Sequence, residues 1–175
     1  VAVSQVPEAE KAEGTEEGPL NKRRVFFFAR HSVRISMLSN SLVTNEVKNS
    51  AGVEIEFTRM STNDRQTVFA KVNEVPSLPH RLILSHQESG SGIKLVRRSV
   101  MRFDKTIISE VDAITPVVIS CYTVAVIPVG HLDTLAEPTH VVANNMSFLA
   151  SLGANTTILY DGTGNGAVVL LNGTL

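Results

Sequence analysis

Apolar and polar residues alternate with period two along the middle of the chain, a pattern that predicts antiparallel β-structure. Residues 79–87 read Pro-His-Arg-Leu-Ile-Leu-Ser-His-Gln, and the glycine-bearing loop Glu88-Ser89-Gly90-Ser91-Gly92 joins them to a long strand predicted from Ile93 to Ile108. A loop of that composition between two β-like runs predicts a hairpin. The β-branched run 115–129 follows and is predicted as a central strand closed by Pro128. Upstream, residues 53–57 and 66–72 follow the turns 49–52 and 61–64 and predict two short antiparallel strands.

After residue 133 the period changes. Val142, Met146 and Leu149 form a stripe at helical spacing, flanked by Val141, Phe148 and Leu152, and Gly153 is a natural stop. Thr134 and Glu137 have capping-box spacing and Pro138 suits a first turn, which places the helix start within a few residues. Burying six such side chains at ~1.5–3 kcal/mol each contributes on the order of 10 kcal/mol before entropy. The stripe therefore reads as core that fixes the helix against a sheet. In the tail, residues 156–160 and 167–171 read as strand-like around a glycine-rich turn at 161–166. That turn lacks a following helix or lysine, so it reads as a hairpin turn rather than a phosphate cradle.

On the predicted long strand one face carries Ile93, Leu95, Arg97, Ser99, Met101, Phe103 and Ile107, and the other Lys94, Val96, Arg98, Val100, Arg102 and Asp104. Between residues 81 and 105 there are six Lys/Arg against two acids, a local balance of +4 in a chain whose formal net charge is −1. Such a bias has two readings, a sheet face that meets an anionic partner and a solubilising surface. Tyr122, on the polar side of the next strand, can stack on a nucleobase or simply pack.

The 175 residues fit one domain, and 43% hydrophobic against 19% charged residues is a globular balance. A single cysteine, Cys121, excludes an intramolecular disulfide and a multi-cysteine zinc site, and its apolar neighbours predict a buried strand position. Residues 1–22 are acidic and low in complexity and are expected to be disordered. The cations at 22–24 and at 30, 31 and 34 have two readings, a nucleic-acid arm and an unstructured leader. The composition break before Met37 predicts a domain over 37–175, with 1–36 a disordered or non-native leader. The apolar run 25–29 is too short for a signal sequence or a membrane span, so the chain is expected to be soluble and not secreted. In that setting the sequons at Asn145, Asn155 and Asn172 read as chance. No nucleophile elbow, P-loop or dinucleotide fingerprint occurs, and the five histidines are scattered. His80 and His86 share a strand face but stand too far apart to ligate one metal unaided. No catalytic or metal site and no enzymatic activity are expected.

The order of elements over residues 80–152 resembles the coat proteins of single-stranded RNA bacteriophages, the levivirus group. The hairpin from His80-Arg81-Leu82-Ile83-Leu84 into Lys94-Leu95-Val96-Arg97-Arg98 and Met101-Arg102-Phe103-Asp104 is similar to their central hairpin. The run 117–129, ending Ile127-Pro128-Val129, is similar to their last sheet strand, and the helix over about 139–152 to the one that follows. The resemblance implies an α+β fold: an N-terminal β-hairpin and antiparallel β-sheet followed by a C-terminal helix, in an interlocked dimer. It further implies a homodimer that assembles in the bacterial host cytoplasm into an icosahedral virion capsid around single-stranded genomic RNA, with no cofactor, membrane or small-molecule substrate. In that family the inward sheet face also grips an RNA hairpin and represses replicase translation. Arg81, Ser85, Lys94, Arg98, Arg102, Ser120 and Tyr122 are the expected RNA-binding residues, and Val142, Met146 and Leu149 the dimer or core helix. Two departures stand out, the leader 1–36 and a strand-like tail where a second short helix is expected. A helix of roughly 14 residues is about 21 Å long and covers only part of a broad sheet, so a partner's helix would complete the cover. The alternative from another class is a β-rich non-enzymatic binding module, adhesin-like or glycan-binding, for which exposed aromatics and a secretion signal are expected.

Overall fold

The computed structural model describes residues 38–153 and 158–174; the expected leader 1–36 lies outside them, as do residues 156 and 157 of the tail. Six strands form one antiparallel meander in chain order: β1 (Ser41–Leu42), β2 (Phe57–Asn63), β3 (Gln66–Lys71), β4 (His80–Ser89), β5 (Val96–Ile108) and β6 (Pro116–Ile127). Two helices follow, α1 (Ala136–Ala150) and α2 (Asn165–Asn172).

The register fixes which side chains share a face, because directly opposed residues of neighbouring strands project to the same side. Leu42 opposes Phe57, Phe69 opposes Leu82, Leu82 opposes Phe103, and Phe103 opposes Cys121. On this apolar face Leu42, Phe57, Phe69 and Leu82 are buried, with Val47, Ile55, Leu84 and Phe103 packed against them. The segment before β2 folds back to supply part of that cover. Asn49 Oδ1 accepts hydrogen bonds from the amides of Ala51 and Val53, both at 2.9 Å, and the Ile55 amide donates to the Val47 carbonyl at 2.8 Å. The tight turn thereby sets Val47 and Ile55 over the β2–β4 half of the sheet. Phe57 and Phe69 are fully enclosed there, and truncating either to alanine would cost ~3–5 kcal/mol.

The β5–β6 half is left open. Met101, Ile119 and Cys121 are exposed on the apolar face, and Val118, Tyr122, Val124 and Val126 on the other. Cys121 is therefore not the buried strand residue that its neighbours predict. Among the described residues strand β6 is the sheet edge, not a central strand, and most of its β-branched residues are exposed. Strand β2 begins at Phe57 and runs through residues 61–63, so the expected strand at 53–57 and turn at 61–64 shift along the chain. The β2–β3 connection is only Asp64-Arg65.

Lys94 also departs from expectation. The long strand starts at Val96, and Lys94 closes a 3₁₀ turn, Gly92–Lys94. Gly90 and Gly92 adopt positive φ there, which takes Lys94 out of the alternation. A second 3₁₀ turn, Val129–His131, packs on the first, and the Gly130 amide donates to the Leu95 carbonyl at 3.0 Å.

Helix α1 packs against α2 rather than lying on the strands. Its expected core stripe is accordingly uncovered: Met146 is 59% exposed and Val142 40%, while Leu149 is half-buried. No side chain caps the start. Leu135 is the N-cap, and Thr134 Oγ1 accepts only from the Ala136 amide at 3.4 Å. The tail is helical, not strand-like, over Asn165–Asn172, which restores the second short helix. Gly164 and Gly166 explain the glycine-rich segment, because a β-carbon at either position would collide with residues 148–150 at the end of α1.

Candidate nucleic-acid interface

The sheet face opposite the core gathers six of the seven expected RNA-binding residues. Arg81 opposes Asp104, which opposes Ser120; Ile83 opposes Arg102, which opposes Tyr122. Ser85 opposes Val100, and Gln87 opposes Arg98, which opposes Val126. With rows about 6–7 Å apart along the strands and strands about 4.8 Å apart, these side chains share one continuous surface. Lys94 does not join it and stands exposed at the hairpin end.

The electrostatics differ from the simple excess of cations in the sequence. Arg81 Nη1 makes a close ion pair with Glu74 Oε1 on the β3–β4 connection. Arg102 Nε donates to Asp104 Oδ1 at 2.7 Å, and Ser120 Oγ donates to the same oxygen at 2.6 Å. Burial pushes the Asp104 carboxyl up, but the hydrogen bonds from Arg102 and Ser120 outweigh it and hold the group below its ordinary value. The Asp104 hydrogen bond raises the Arg102 guanidinium in turn. Arg102 Cζ lies 5.0 Å from the centroid of the Tyr122 ring, a cation–π distance. Of the three arginines on this face, Arg81, Arg98 and Arg102, Arg98 alone makes no ion pair among the described residues. Alternation places the arginines on one face but does not pair them with the carboxylates of Glu74 and Asp104. The two-residue spacing of Arg102 and Asp104 was a usable signal, whereas Glu74 reaches Arg81 only through the turn.

The apolar face carries its own polar features. Glu88 bridges Arg97 Nε at 2.9 Å and Arg65 at 3.7 Å, and the Arg97 hydrogen bond chiefly holds its carboxyl below the usual range. Lys71, His80 and Lys105 line an open cavity of about 390 Å³ together with Glu54, Glu56 and Asn49. At the β5–β6 turn, Asp112 accepts from the Thr115 hydroxyl and from the Ile114 and Thr115 amides, which hold it well below the carboxylate range. Among the described residues, no group of three or more His, Cys, Asp or Glu is placed to hold a metal ion. No helix there is long and apolar enough to cross a membrane.

The six-stranded antiparallel meander followed by C-terminal helices has the fold of the RNA-bacteriophage coat proteins. The coat protein of bacteriophage EMS014 is similar over 69% of this chain and 87% of its own, with a TM-score of 0.52 and 9% identity. The virus-like particle of bacteriophage EMS014 gives a TM-score of 0.51 at 9% identity, covering 69% of this chain and 88% of the other. The capsid protein of bacteriophage GA covers 78% and 95%, with a TM-score of 0.48 and 15% identity. At these identities the likeness is one of fold. No family model and no curated protein sequence matches the chain.

Proposed function

We propose that the chain is the coat protein of a single-stranded RNA bacteriophage, a non-enzymatic protein that dimerises, builds an icosahedral shell and packages the genome in the host cytoplasm. The observation that carries this reading is the incompleteness of the protomer. Strand β6 is an open edge of 12 residues with apolar side chains exposed on both faces, a configuration that invites pairing with another chain. Helix α1 is apolar and exposed at the same time. A second copy offers both missing covers at once, a strand for the edge and a helix for the β5–β6 half of the apolar face. Val142, Met146 and Leu149 then form the seam between subunits.

With the apolar face closed by helices, the arginine face is left to line the shell. Arg98, which makes no ion pair among the described residues, supplies a positive charge there, and Tyr122, 55% exposed, offers a ring on which a base can stack. Arg81, Ser85, Arg102 and Ser120 complete this surface, with Lys94 at its margin. Repression of replicase translation through an RNA hairpin would use the same surface.

Electron microscopy of the expressed chain, combined with nuclease digestion, tests the proposal. Uniform particles holding nuclease-protected RNA are expected. A soluble monomer that forms no particle would overturn it.

A further inference from the structure

We propose that Asp104 is a specificity-determining residue of the arginine face: by holding Arg102 over Tyr122 it withholds that cation from phosphate and turns the pair into a platform for an unpaired base. This inference rests on the RNA reading above and gives its recognition surface a definite chemistry.

A surface that only attracts phosphate gains nothing from a half-buried carboxylate set between two arginines. Asp104 stands directly opposite Arg81 and two residues along β5 from Arg102. Its side chain is only 16% exposed, against 38% for Arg102. One oxygen, Oδ1, accepts from both Arg102 Nε and Ser120 Oγ, so the carboxylate is fixed from two strands. The guanidinium it fixes is the one placed over the Tyr122 ring. Specificity gains from a repulsive element as much as from an attractive one. The Asp104 charge repels a phosphate that approaches Arg102, whereas a neutral base stacking on the exposed ring meets no such penalty. Arg98, without an ion pair among the described residues and two residues before Val100 on the same face, is left as the cation for the backbone. The row of Arg102 and Tyr122 thus reads bases, and the row of Arg98, beyond the intervening row of Val100, holds the strand.

The test measures binding of the full chain to an oligouridylate and to an abasic ribose-phosphate oligomer of equal length, across a salt series. For single strands the slope of log affinity against log salt changes by about 0.7 for each phosphate contact. Asp104→Asn keeps an acceptor oxygen for Arg102 and Ser120 but removes the charge. It is expected to steepen the slope by about 0.7 and to reduce the preference for base-bearing over abasic strand on the order of tenfold. Asp104→Glu, which keeps the charge, should stay near the wild-type slope. Should Asp104→Asn not fold, Arg102→Gln decides: base preference falls while the slope holds, in contrast to Arg98→Ala, which flattens it. If the wild-type chain binds oligouridylate and Asp104→Asn changes neither slope nor preference, the role of Asp104 is overturned and the RNA reading stands. If the wild-type chain binds neither oligomer at low salt, the RNA reading of this face falls and this inference falls with it.

Discussion

Gly164 and Leu149 approach so closely that a β-carbon on the glycine would run into the Leu149 carbonyl oxygen, and would lie 2.8 Å from both Cα and the carbonyl carbon of Ala150. Backbone stands on both sides of this contact, so no side-chain rotation relieves it. Ala150, buried at 7% exposure, lies at this junction. Its carbonyl accepts from the Leu159 amide at 2.7 Å, and the Ser151 carbonyl accepts from the Asn165 amide at 2.9 Å. Gly164→Ala therefore forces α2 away from α1, and overpacking of this kind costs ~1–3 kcal/mol. A urea titration followed by circular dichroism should show a lowered midpoint. An unchanged midpoint would mean that the two helices are not joined here.

His80 sits in the row Phe57, Lys71, His80, Lys105 of the apolar face, its ring 5.1 Å from that of Phe57 in an edge-on contact. Burial holds its imidazole below the ordinary value of 6.5, with Lys105 and then Lys71 adding to the effect and Glu74 opposing it. A base depressed in the folded state takes its proton first in the unfolded chain. Its contribution to stability is therefore full above the ordinary value and is lost as pH falls from there toward the folded value. The melting temperature should fall from about pH 7.5 to about pH 5, and His80→Gln should flatten that fall. A slope identical in the two proteins would assign the pH dependence elsewhere.

The β4–β5 hairpin and its two faces were legible because each strand carries a consistent alternation, and one such pattern fixes the facing of every residue in register. Lys94 falls outside the strand because alternation says nothing about where a strand starts; Gly90 and Gly92, at positive φ, break it just before Val96. Cys121 and the helix stripe share a different cause. An apolar run states that cover is needed, not which chain provides it, so β6 read as a central strand and Met146 as core although both are open in the protomer. In the tail, Ala167-Val168-Val169-Leu170-Leu171 fits a strand or a helix equally well. The close approach of Gly164 and Gly166 to α1 is a tertiary contact that no local propensity encodes. The ion pair of Glu74 with Arg81 was hidden for the same reason, being set by the path of the β3–β4 connection.

Met146 and Cys121 together report where the subunits of the proposed dimer meet. Met146 is 59% exposed in the protomer, and a surface substitution there should change protomer stability by only about 0.5 kcal/mol or less. Once α1 lies on a partner's sheet the same position is enclosed, and Met146→Asp would bury an unpaired carboxylate, which proteins do not tolerate without a partner. Cys121 supplies an independent probe, because it is exposed on β6 yet projects to the apolar face that a partner's helix would cover. In the wild-type assembly the thiol should react slowly with a maleimide. In Met146→Asp it should react rapidly, and the protein should elute as a folded monomer with its circular dichroism retained. If Met146→Asp still forms particles and Cys121 labels as fast in them as in the denatured chain, the seam does not run over α1 and β6, and the cover for this half of the sheet has to come from another surface.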